Sequence, residues 1–421
     1  MSKQYGLIGK DLSYSLSKEI HSVVNDNYKY YPCKTVLDVE KLIASQELDG
    51  FNVTIPYKET VMSFISKTDT IAKEIGSVNT VVLENGNYVG YNTDYIGIIK
   101  TFDRLGIDVK TSNFLILGSG GSSKSVEYVL KSKGNNDYYI ASRTKTKKPN
   151  YITYDEIDRI KSKINVIVNA TPIGMHKYIY KEPLVDVSKF SKLQYVFDLI
   201  YNPNNTKLIL EAKLKGIKTS NGLWMLISQA LAAEECFLDK EISIDKFLLL
   251  EKELTLKNTN IVLYGIAGAG KSSIGEKLSK LLGKTFYDTD MLIEQKTNMK
   301  IPEIFKIFGE EYFRNLEKEI IADLATKNNC CISLGGGAVL NNESVQKLKL
   351  NGLFVYVKRR LNDIETLGRP LYENKTPKEL YEERKEIYES IEDIDFLNDD
   401  KSIDVSANRC KDLIMKYFEI V

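Results

Sequence analysis

A glycine-rich loop constrains the fold of this chain more than any other stretch. The sequence Gly265-Ile-Ala-Gly268-Ala-Gly270-Lys271-Ser272 matches the pattern G-x-x-x-x-G-K-[ST] and directly follows the apolar run Ile261-Val-Leu. In this pattern the glycines let backbone N–H groups turn toward a phosphate, the lysine carries a charge for the β- and γ-phosphates, and the hydroxyl suits Mg²⁺. The stretch therefore predicts a strand, a phosphate loop and a helix in a nucleotide-binding domain with a parallel sheet.

Six residues of this loop are candidates for nucleotide binding. They are Gly268, Ala269, Gly270, Lys271, Ser272 and Ser273. Lys271 is also a catalytic candidate, and Ser272 is a candidate ligand of Mg²⁺. The alternative is a glycine-rich turn without a ligand, but such a turn has no need of a Lys-Ser end and an amphipathic continuation.

The position of the loop divides the chain unequally. A chain of 421 residues is expected to form two to three domains, and the roughly 150 residues after the loop have room for one. The longer segment before it needs its own explanation. Short apolar runs alternate with helical periods, which favours a parallel α/β architecture. We place the linker at residues 251–258, where the sequence has no turn-rich spacer.

Charge and cysteine usage narrow the partners and the compartment. The 58 basic residues nearly equal the 57 acidic ones, which favours a small-molecule substrate over nucleic acid or a membrane surface. The five cysteines show no C-x-x-C pairing and are expected to be buried thiols in a reducing compartment. The first residues lack an apolar signal core, so we expect a cytoplasmic protein. His21 and His176 are expected at structural positions, and no oligomeric state is indicated.

A second glycine turn lies in the first half of the chain. The strand predicted at Phe114–Leu117 is followed by Gly118-Ser-Gly-Gly-Ser122, which resembles the pyrophosphate turn of a Rossmann domain. The next strand ends at Ser142-Arg-Thr-Lys-Thr-Lys147 with basic residues where an NAD site usually has an acidic one, so NADP is favoured. The alternative is a solvated basic turn. The candidate cofactor-binding residues are Gly118, Ser119, Gly120, Gly121, Ser122, Ser142, Arg143, Thr144 and Lys147.

Seven motifs in the first half form an ordered set, and the first four of them carry more polar residues than buried strands need. They are Ser13-Tyr-Ser15-Leu-Ser17, Asn52-Val-Thr54-Ile-Pro-Tyr-Lys58, Ser77-Val-Asn79-Thr80, Asn92-Thr-Asp94, Asn169-Ala-Thr-Pro-Ile-Gly174, Asp198-Leu-Ile-Tyr201-Asn-Pro203 and Gly222-Leu-Trp-Met-Leu-Ile-Ser-Gln229. In kind, order and spacing they resemble shikimate dehydrogenase. The resemblance implies a substrate-binding domain of residues 1–95 and 222–250 around a Rossmann NADP-binding domain of residues 96–221.

The same resemblance implies roles for individual residues. Lys58 and Asp94 would be the catalytic pair, which agrees with the chemistry, because reduction of a keto group creates an alkoxide that an ammonium can protonate. The implied substrate-binding residues are Ser15, Ser17, Thr54, Asn79, Asp94, Tyr201 and Gln229, and Gly222 would bind the cofactor. Taken singly, Lys58 could be an exposed loop lysine and Asp94 a helix cap. Two departures are Lys18, where many relatives have proline, and Leu199, where they often have methionine.

Residues 259–421 carry a second ordered set of motifs. They are Asp288-Thr-Asp290, Gly309-Glu-Glu-Tyr-Phe313-Arg314-Asn-Leu-Glu317, Gly335-Gly336-Gly337, Arg369-Pro-Leu371 and Arg384-Lys-Glu-Ile-Tyr388. This set resembles shikimate kinase. The resemblance implies that Asp290 binds the substrate hydroxyls and supports attack by the 3-hydroxyl, and that Asp288 assists Mg²⁺ together with Ser272. Both aspartates are therefore catalytic candidates.

The remaining implied roles in the second half concern basic residues and one glycine. Arg314 and Arg384 would bind the substrate carboxylate, Gly336 would contact the substrate through its backbone, and Arg369 would bind the nucleotide. The alternative for the first two is an ordinary surface ion pair with a neighbouring glutamate such as Glu310 or Glu383. The segment before Arg369 is shorter than the family pattern, so a role at the nucleotide could pass to Arg359 or Arg360.

These motifs together predict a bifunctional enzyme. It would reduce 3-dehydroshikimate with NADPH and then phosphorylate the shikimate formed, using ATP and Mg²⁺. One rival keeps the dehydrogenase and makes the second half a ligand-binding or regulatory module. A second rival is a quinate- or shikimate-oxidising dehydrogenase that uses NAD.

Overall fold

The computed structural model describes residues 3–13, 15–366, 370–372, 375–400 and 402–420. The chain forms two compact units. The first consists of Met1–Tyr201 with Thr206–Glu251, and the second of Asn202–Asn205 with Lys252–Val421. The boundary between the units, at Glu251 and Lys252, falls inside the helix Asp245–Asn258. The predicted linker 251–258 therefore belongs to this helix over its whole length. In the described part of the chain no helix combines the length and the apolar character that a bilayer crossing requires.

The first unit contains a mixed sheet in the strand order β2-β1-β3-β5-β6-β4. Its strands are β1 (Tyr5–Gly9), β2 (Tyr28–Pro32), β3 (Gly50–Val53), β4 (Lys67–Thr68), β5 (Thr80–Glu84) and β6 (Asn87–Tyr91). Strand β3 ends at Val53. Beyond it, Pro56 has no N–H to donate and Tyr57 N donates back to Thr54 O at 3.0 Å. This early end places Thr54 and Lys58 in the loop at the edge of the sheet.

A second sheet of the first unit is entirely parallel, in the order β12-β11-β10-β7-β8-β9. Its strands are β7 (Phe114–Leu117), β8 (Tyr138–Ser142), β9 (Tyr151–Thr153), β10 (Val166–Asn169), β11 (Tyr195–Asp198) and β12 (Lys218–Ser220). The central strand β7 is fully buried, as its apolar run predicts. This is the expected doubly wound sheet, with one departure: β8 and β9 are joined through residues 143–150 without a helix.

Eight helices accompany these two sheets in the described residues. They are α1 (Ser17–His21), α2 (Val36–Ser45), α3 (Thr70–Ile75), α4 (Asp94–Leu105), α5 (Gly121–Ser132), α6 (Lys207–Leu214), α7 (Leu223–Leu238) and α8 (Asp245–Asn258). Side-chain caps fix several starts: the Thr35 hydroxyl accepts from Asp38 N before α2, and Asp69 accepts from Ala72 N before α3. Helix α7 is buried along most of its length and packs against α4 and α1.

The second unit is built on one parallel sheet in the order β14-β15-β13-β16-β17. The strands are β13 (Asn260–Tyr264), β14 (Thr285–Asp288), β15 (Cys330–Ser333), β16 (Gly352–Lys358) and β17 (Ile394–Leu397). The helices are α9 (Lys271–Leu281), α10 (Thr289–Thr297), α11 (Ile301–Leu324), α12 (Asn342–Lys349), α13 (Pro377–Ser390) and α14 (Ile403–Tyr417). The expected strand, phosphate loop and helix are β13, the loop after it, and α9.

The cysteines fit the prediction of unpaired thiols. All five are free, four of them are buried, and Cys236 is half-buried. Cys330 and Cys331 lie in β15, as their apolar run indicates. His21 is buried within the first unit, whereas the side chain of His176 lies outside the described part of the chain.

Candidate active sites

The first site is centred on the predicted pair of Lys58 and Asp94. Lys58 Nζ donates to Asp94 Oδ2 at 2.7 Å, and the side chains are 19% and 6% exposed, so the lysine remains partly accessible while the carboxylate is enclosed. Asp94 is the first residue of α4, and its side chain does not cap the helix. The capping alternative for Asp94 is therefore wrong, and so is the alternative of a freely exposed Lys58.

Asn79 holds the carboxylate of this pair in place. Its side-chain amide donates to Asp94 Oδ1 at 2.9 Å and to Gln229 Oε1 at 3.0 Å. Its own oxygen accepts from the backbone N–H of Thr93 at 2.6 Å. Four predicted residues, Lys58, Asn79, Asp94 and Gln229, are thus joined directly. Buried Thr93 was not predicted, although it stands inside the Asn-Thr-Asp motif.

The two serines predicted to bind the substrate carboxylate form a local pair. Ser15 Oγ donates to Ser17 Oγ at 3.0 Å, and Tyr30 OH donates to the Ser15 carbonyl at 2.7 Å. The Lys18 backbone N–H, which a proline would lack, donates to the same tyrosine hydroxyl at 3.0 Å. Tyr30 therefore fixes the loop where the family pattern relies on proline. Thr54 and Tyr201 lie half-buried just beyond the ends of β3 and β11.

The turn after β7 has the shape that a pyrophosphate requires. Gly118 adopts a φ of +100°, which favours glycine, and α5 begins three residues later. A Cβ at Gly120 or Gly121 would meet no protein atom within 4 Å, so the space in front of the helix N-terminus is open. Ser119 is exposed and Ser122 half-buried beside it. The residues present therefore fit a dinucleotide phosphate on the first N–H groups of α5.

The basic turn after β8 lies next to this open space in the fold topology. The Ser142 hydroxyl donates to the Thr144 carbonyl at 2.6 Å and so shapes the turn. Arg143, Thr144 and Lys147 are exposed. Lys145 is engaged with Glu156 at 3.1 Å, whereas Arg143 and Lys147 have no carboxylate partner within the described residues. Two available cations at this strand end fit the 2′-phosphate of NADP.

Gly222 and Asp198 shape the loop that carries Leu199. A Cβ at Gly222 would lie 2.0 Å from the Leu199 carbonyl oxygen, so only glycine allows α7 to start there. Asp198 is fully buried and accepts from Asn169 Nδ2, Ile200 N and Thr206 Oγ1. Burial raises the pKa of Asp198 to about 6 in spite of these donors. The sequence marks Asp198 as part of a motif, but its role as an anchor becomes visible only in the fold.

The second site begins at the phosphate loop between β13 and α9. Lys271 Nζ donates to the carbonyls of Gly265 and Ile266, both at 3.0 Å. A cavity of about 300 Å³ opens there. Of the predicted residues it is lined by Gly268, Gly270, Lys271, Ser272, Ser273, Asp288, Asp290 and Gly336. Ala269 is buried, and its N–H donates to Ile266 O at 3.2 Å, so this residue serves the loop itself.

The predicted magnesium ligands meet at the edge of this cavity. Ser272 Oγ donates to Asp288 Oδ2 at 2.6 Å. The other carboxylate oxygen caps α10 by accepting from Asp290 N and Met291 N. Only oxygen donors are present, which suits Mg²⁺, and no group of three His, Cys, Asp or Glu side chains in the described residues is arranged for a metal. An ion held here therefore needs phosphate oxygens as further ligands.

Arg359 is the basic residue that reaches the nucleotide cavity. It lines the cavity beside Glu365. Arg360 is exposed and faces Asp399 at 3.9 Å. The role that the sequence leaves open between these two arginines therefore fits Arg359. Arg369 lies outside the described residues.

Arg314, a predicted substrate-binding residue, contacts two carboxylates. Arg314 Nη1 donates to Glu317 Oε2 at 2.7 Å and Arg314 Nη2 to Glu310 Oε1 at 3.0 Å. The surface ion-pair alternative is thus right for Glu310 but omits the buried Glu317, a site residue that the sequence prediction missed. The sequence does indicate this contact, because Glu317 follows Arg314 by three residues and residues at that spacing lie on the same face of a helix.

Arg384 does not form the predicted alternative pair with Glu383. It is buried and donates to the Gly336 carbonyl at 3.0 Å, and Tyr388 OH donates to the same oxygen at 2.6 Å. Glu383 instead pairs with Lys375 at 2.6 Å. The alternative is therefore wrong for Arg384, because the helix turns this arginine inward.

Three buried polar atoms at this site have no partner within the described residues: Asp290 Oδ1, Glu317 Oε1 and Arg384 Nε. An unpaired buried polar atom costs about 1–3 kcal/mol, so three together indicate a place for a polar ligand. Asp290 and Glu317 line a cavity of about 310 Å³ with Arg314 and Gly336. A Cβ at Gly335 would lie 2.6 Å from Asp290 Oδ1. Burial, followed by the Asp288 and Glu317 carboxylates, raises the pKa of Asp290 to about 7.

Fold and sites together define two classes of enzyme in one chain. The first unit is an oxidoreductase fold of two sheets with a glycine turn at the start of α5 and a lysine–carboxylate pair. The second unit is a phosphotransferase fold with a P-loop.

Comparison with known proteins agrees with both classes. Residues 7–81 match the family described as shikimate dehydrogenase substrate binding domain, and residues 267–415 match shikimate kinase. A shikimate dehydrogenase (NADP(+)) of Caldanaerobacter subterraneus is 34% identical over 58% of this chain and 96% of its own length. One from Clostridium botulinum is 39% identical over 54% and 93%. The crystal structure of shikimate dehydrogenase 1 from Peptoclostridium difficile covers 61% of this chain and 98% of its own, with 35% identity and a TM-score of 0.55. The chain belongs to the shikimate dehydrogenase family and carries a shikimate kinase domain after it.

Proposed function

We propose that the first unit reduces 3-dehydroshikimate to shikimate with NADPH, and that the second phosphorylates shikimate with ATP and Mg²⁺. The observation that carries the first activity is the contact between Lys58 and Asp94 at 2.7 Å. The observation that carries the second is the set of unpaired buried atoms on Asp290, Glu317 and Arg384. The similar dehydrogenases are named for NADP(+), which supports the choice of cofactor.

In the reduction, Lys58 is the proton donor. NADPH supplies the hydride when bound, and the substrate oxygen gains negative charge as the carbonyl is reduced. The ammonium of Lys58 stabilises that charge and transfers a proton to it. Asp94 orients Lys58 by accepting its hydrogen bond at 2.7 Å, and Asn79 keeps Asp94 in place by donating at 2.9 Å. Ser15 and Ser17 hold the carboxylate end, so that the keto group lies at the lysine.

In the phosphorylation, Asp290 accepts the proton of the attacking hydroxyl. ATP supplies the phosphoryl group, and in-line positioning with positive charge around it provides most of the rate. Lys271 and Arg359 provide that charge in the phosphate cavity, and Ser272 with Asp288 would hold the magnesium ion. Arg314 and Arg384 bind the carboxylate, with Glu317 accepting from a ring hydroxyl through its unpaired oxygen.

Replacing Lys271 with alanine tests whether the second unit turns over. We expect the full chain to form shikimate 3-phosphate from ATP and shikimate, and Lys271→Ala to do so about 100-fold more slowly, the usual cost of one lost transition-state donor. The assay measures ADP and phosphorylated product under saturating magnesium. Reduction of 3-dehydroshikimate should stay unchanged in the same preparation.

A matched control lies on the same helix. Lys277 is half-exposed and pairs with Asp404 at 2.9 Å on the outer face, so Lys277→Ala should leave both activities near wild type. Phosphorylation by the wild-type chain no faster than by Lys271→Ala would instead establish the second unit as a ligand-binding or regulatory module.

Replacing Arg143 with alanine tests the preference for NADP. Loss of a charge-assisted contact to the 2′-phosphate should raise the KM for NADPH about tenfold and leave the KM for NADH unchanged. Lys145→Ala is the control, since Lys145 stands two residues away but is engaged with Glu156. Equal rates with NADH and NADPH in the wild type, together with no effect of Arg143→Ala, would favour the NAD-linked rival.

A further inference from the structure

A buried polar pair lies behind the substrate loop of the first unit. His21 Nδ1 and Glu234 Oε1 are 2.6 Å apart, and the side chains are 1% and 0% exposed. The imidazole also stacks on the Tyr28 ring, with centroids 3.9 Å apart and an angle of 2° between the planes. Neither residue takes part in the reduction described above. The pair therefore needs an explanation of its own.

The two partners belong to elements that bear substrate-binding residues. Helix α1 has only five residues: it begins at Ser17 and ends at His21. Helix α7 carries Gln229 and, five positions later, Glu234. The contact thus ties the short helix with the carboxylate-binding serine to the helix with the ring-binding glutamine. An isolated helix of five residues is not stable in water, so its position depends on such contacts.

A buried network continues from this pair to the catalytic carboxylate. Tyr28 OH, on the ring stacked against His21, donates to Asn52 Oδ1 at 2.8 Å. Asn52 Nδ2 donates to Thr80 Oγ1 at 3.0 Å and to the Asn79 carbonyl at 3.3 Å. Asn79 in turn holds Asp94. One connected set of side chains therefore lies between the carboxylate end and the keto end of the substrate site.

Packing alone does not account for the pair. Glu234 Oε2 is buried and has no hydrogen-bond partner within the described residues. A carboxylate with one unpaired buried oxygen is unfavourable, and an apolar pair of similar size would be neutral or stabilising. The hydrogen bond between His21 and Glu234 offsets this cost by fixing the orientation of α1 relative to α7. An apolar contact between the two helices would not fix it.

We propose that His21 and Glu234 are positioning residues for the substrate carboxylate of the dehydrogenase. They hold α1 in register with α7, so that Ser15 and Ser17 lie at the correct distance from Gln229 and Asp94. The inference rests on the proposed reduction of 3-dehydroshikimate. It assigns to this pair an effect on substrate binding and not on the chemical step.

The test is a comparison of kinetic constants in the full chain. His21→Phe keeps a flat ring for the stack on Tyr28 but removes the hydrogen bond. We expect the KM for 3-dehydroshikimate to rise about tenfold, kcat to change less than about threefold, and the KM for NADPH to stay constant. Glu234→Gln keeps an acceptor for His21 and should stay near wild type.

Two further measurements separate positioning from general damage to the fold. The double variant His21→Phe/Glu234→Leu leaves no unpaired carboxylate in the core, so it should fold and still show the raised KM. The methyl ester of 3-dehydroshikimate lacks the anionic group that the serines hold, so wild type and variants should have similar KM values for it. A normal KM for the acid in the double variant, or equal losses with acid and ester, would overturn the inference. A wild-type chain that does not reduce 3-dehydroshikimate would refute the proposed function instead.

Discussion

Replacing Lys58 with alanine should lower the rate of 3-dehydroshikimate reduction by about 10³- to 10⁴-fold and leave the phosphorylation of shikimate near its wild-type rate. A rate decrease of this size is expected when an enzyme loses a general acid that also stabilises negative charge in the transition state. The variant removes the ammonium that lies 2.7 Å from Asp94 Oδ2 and can donate a proton. Oxidation of NADPH followed at 340 nm measures the first activity, and ADP release measures the second.

The control for this variant is a lysine in an equally short ion pair. Lys161 donates to Asp158 at 2.8 Å on the surface of the same unit, so Lys161→Ala should retain both activities. A second variant, Asp94→Asn, keeps the size of the side chain but removes the carboxylate that orients the Lys58 ammonium, and should also lower reduction. Loss of phosphorylation in Lys58→Ala would contradict the independence of the two sites, and retained reduction would exclude Lys58 as the donor.

The parallel strands could be predicted from sequence because their signals are local. The runs at Phe114–Leu117 and Ile261–Leu263 are apolar without interruption, and each is followed by glycines where a strand must give way to a helix N-terminus. The polar motifs then fall at the carboxyl ends of those strands, where the ligands of open parallel sheets bind. The prediction of two phosphate-binding turns follows from this rule together with the glycine spacing.

The contacts that complete each site could not be predicted in this way. Asn79 meets Gln229 across 150 positions of the chain, and His21 meets Glu234 across 213. Such pairs have no local period, since they result from the packing of α7 against α1 and against the loop before β5. Residues 251–258 continue helix α8, in agreement with the absence of a turn-rich spacer in their sequence.

Arg314 and Arg384 show that the same local sequence pattern can place an arginine in two different environments. Both were assigned an ion-pair alternative from neighbouring glutamates, which is right for Arg314 with Glu310 and wrong for Arg384. A helix surface pair and an inward-facing arginine have the same local sequence. Arg384 is distinguished from Arg314 by its burial beside the Gly336 carbonyl, to which it donates. This burial depends on the fold and not on the neighbouring residues in the sequence.

Replacing Asp290 with asparagine should lower the phosphorylation of shikimate by about 10³-fold at pH 8, because the amide cannot accept the proton of the attacking hydroxyl. Burial raises the pKa of Asp290 to about 7, so we expect the phosphorylation rate to depend on pH in this range. The wild-type kcat/KM should be constant above pH 7 and fall about tenfold per pH unit below it, since only the ionised carboxylate acts as a base. The residual kcat/KM of Asp290→Asn should not show this decrease below pH 7.

The free energy of unfolding of the second unit should decrease as the pH rises through this range, whereas the rate of phosphorylation increases. A carboxyl whose pKa is raised in the folded state stabilises the fold when protonated, and this contribution is lost as the pH rises through about 7. Asp290→Asn removes the charge, so it should raise the thermal midpoint at pH 8 and have less effect at pH 5. Asp323→Asn is the control, since Asp323 is exposed on α11 and pairs with Lys327 at 3.0 Å. A variant at Asp290 that is inactive but less stable at pH 8 would show that the carboxylate supports the fold. A more stable, inactive one would show that the site keeps Asp290 charged for catalysis at a cost to stability.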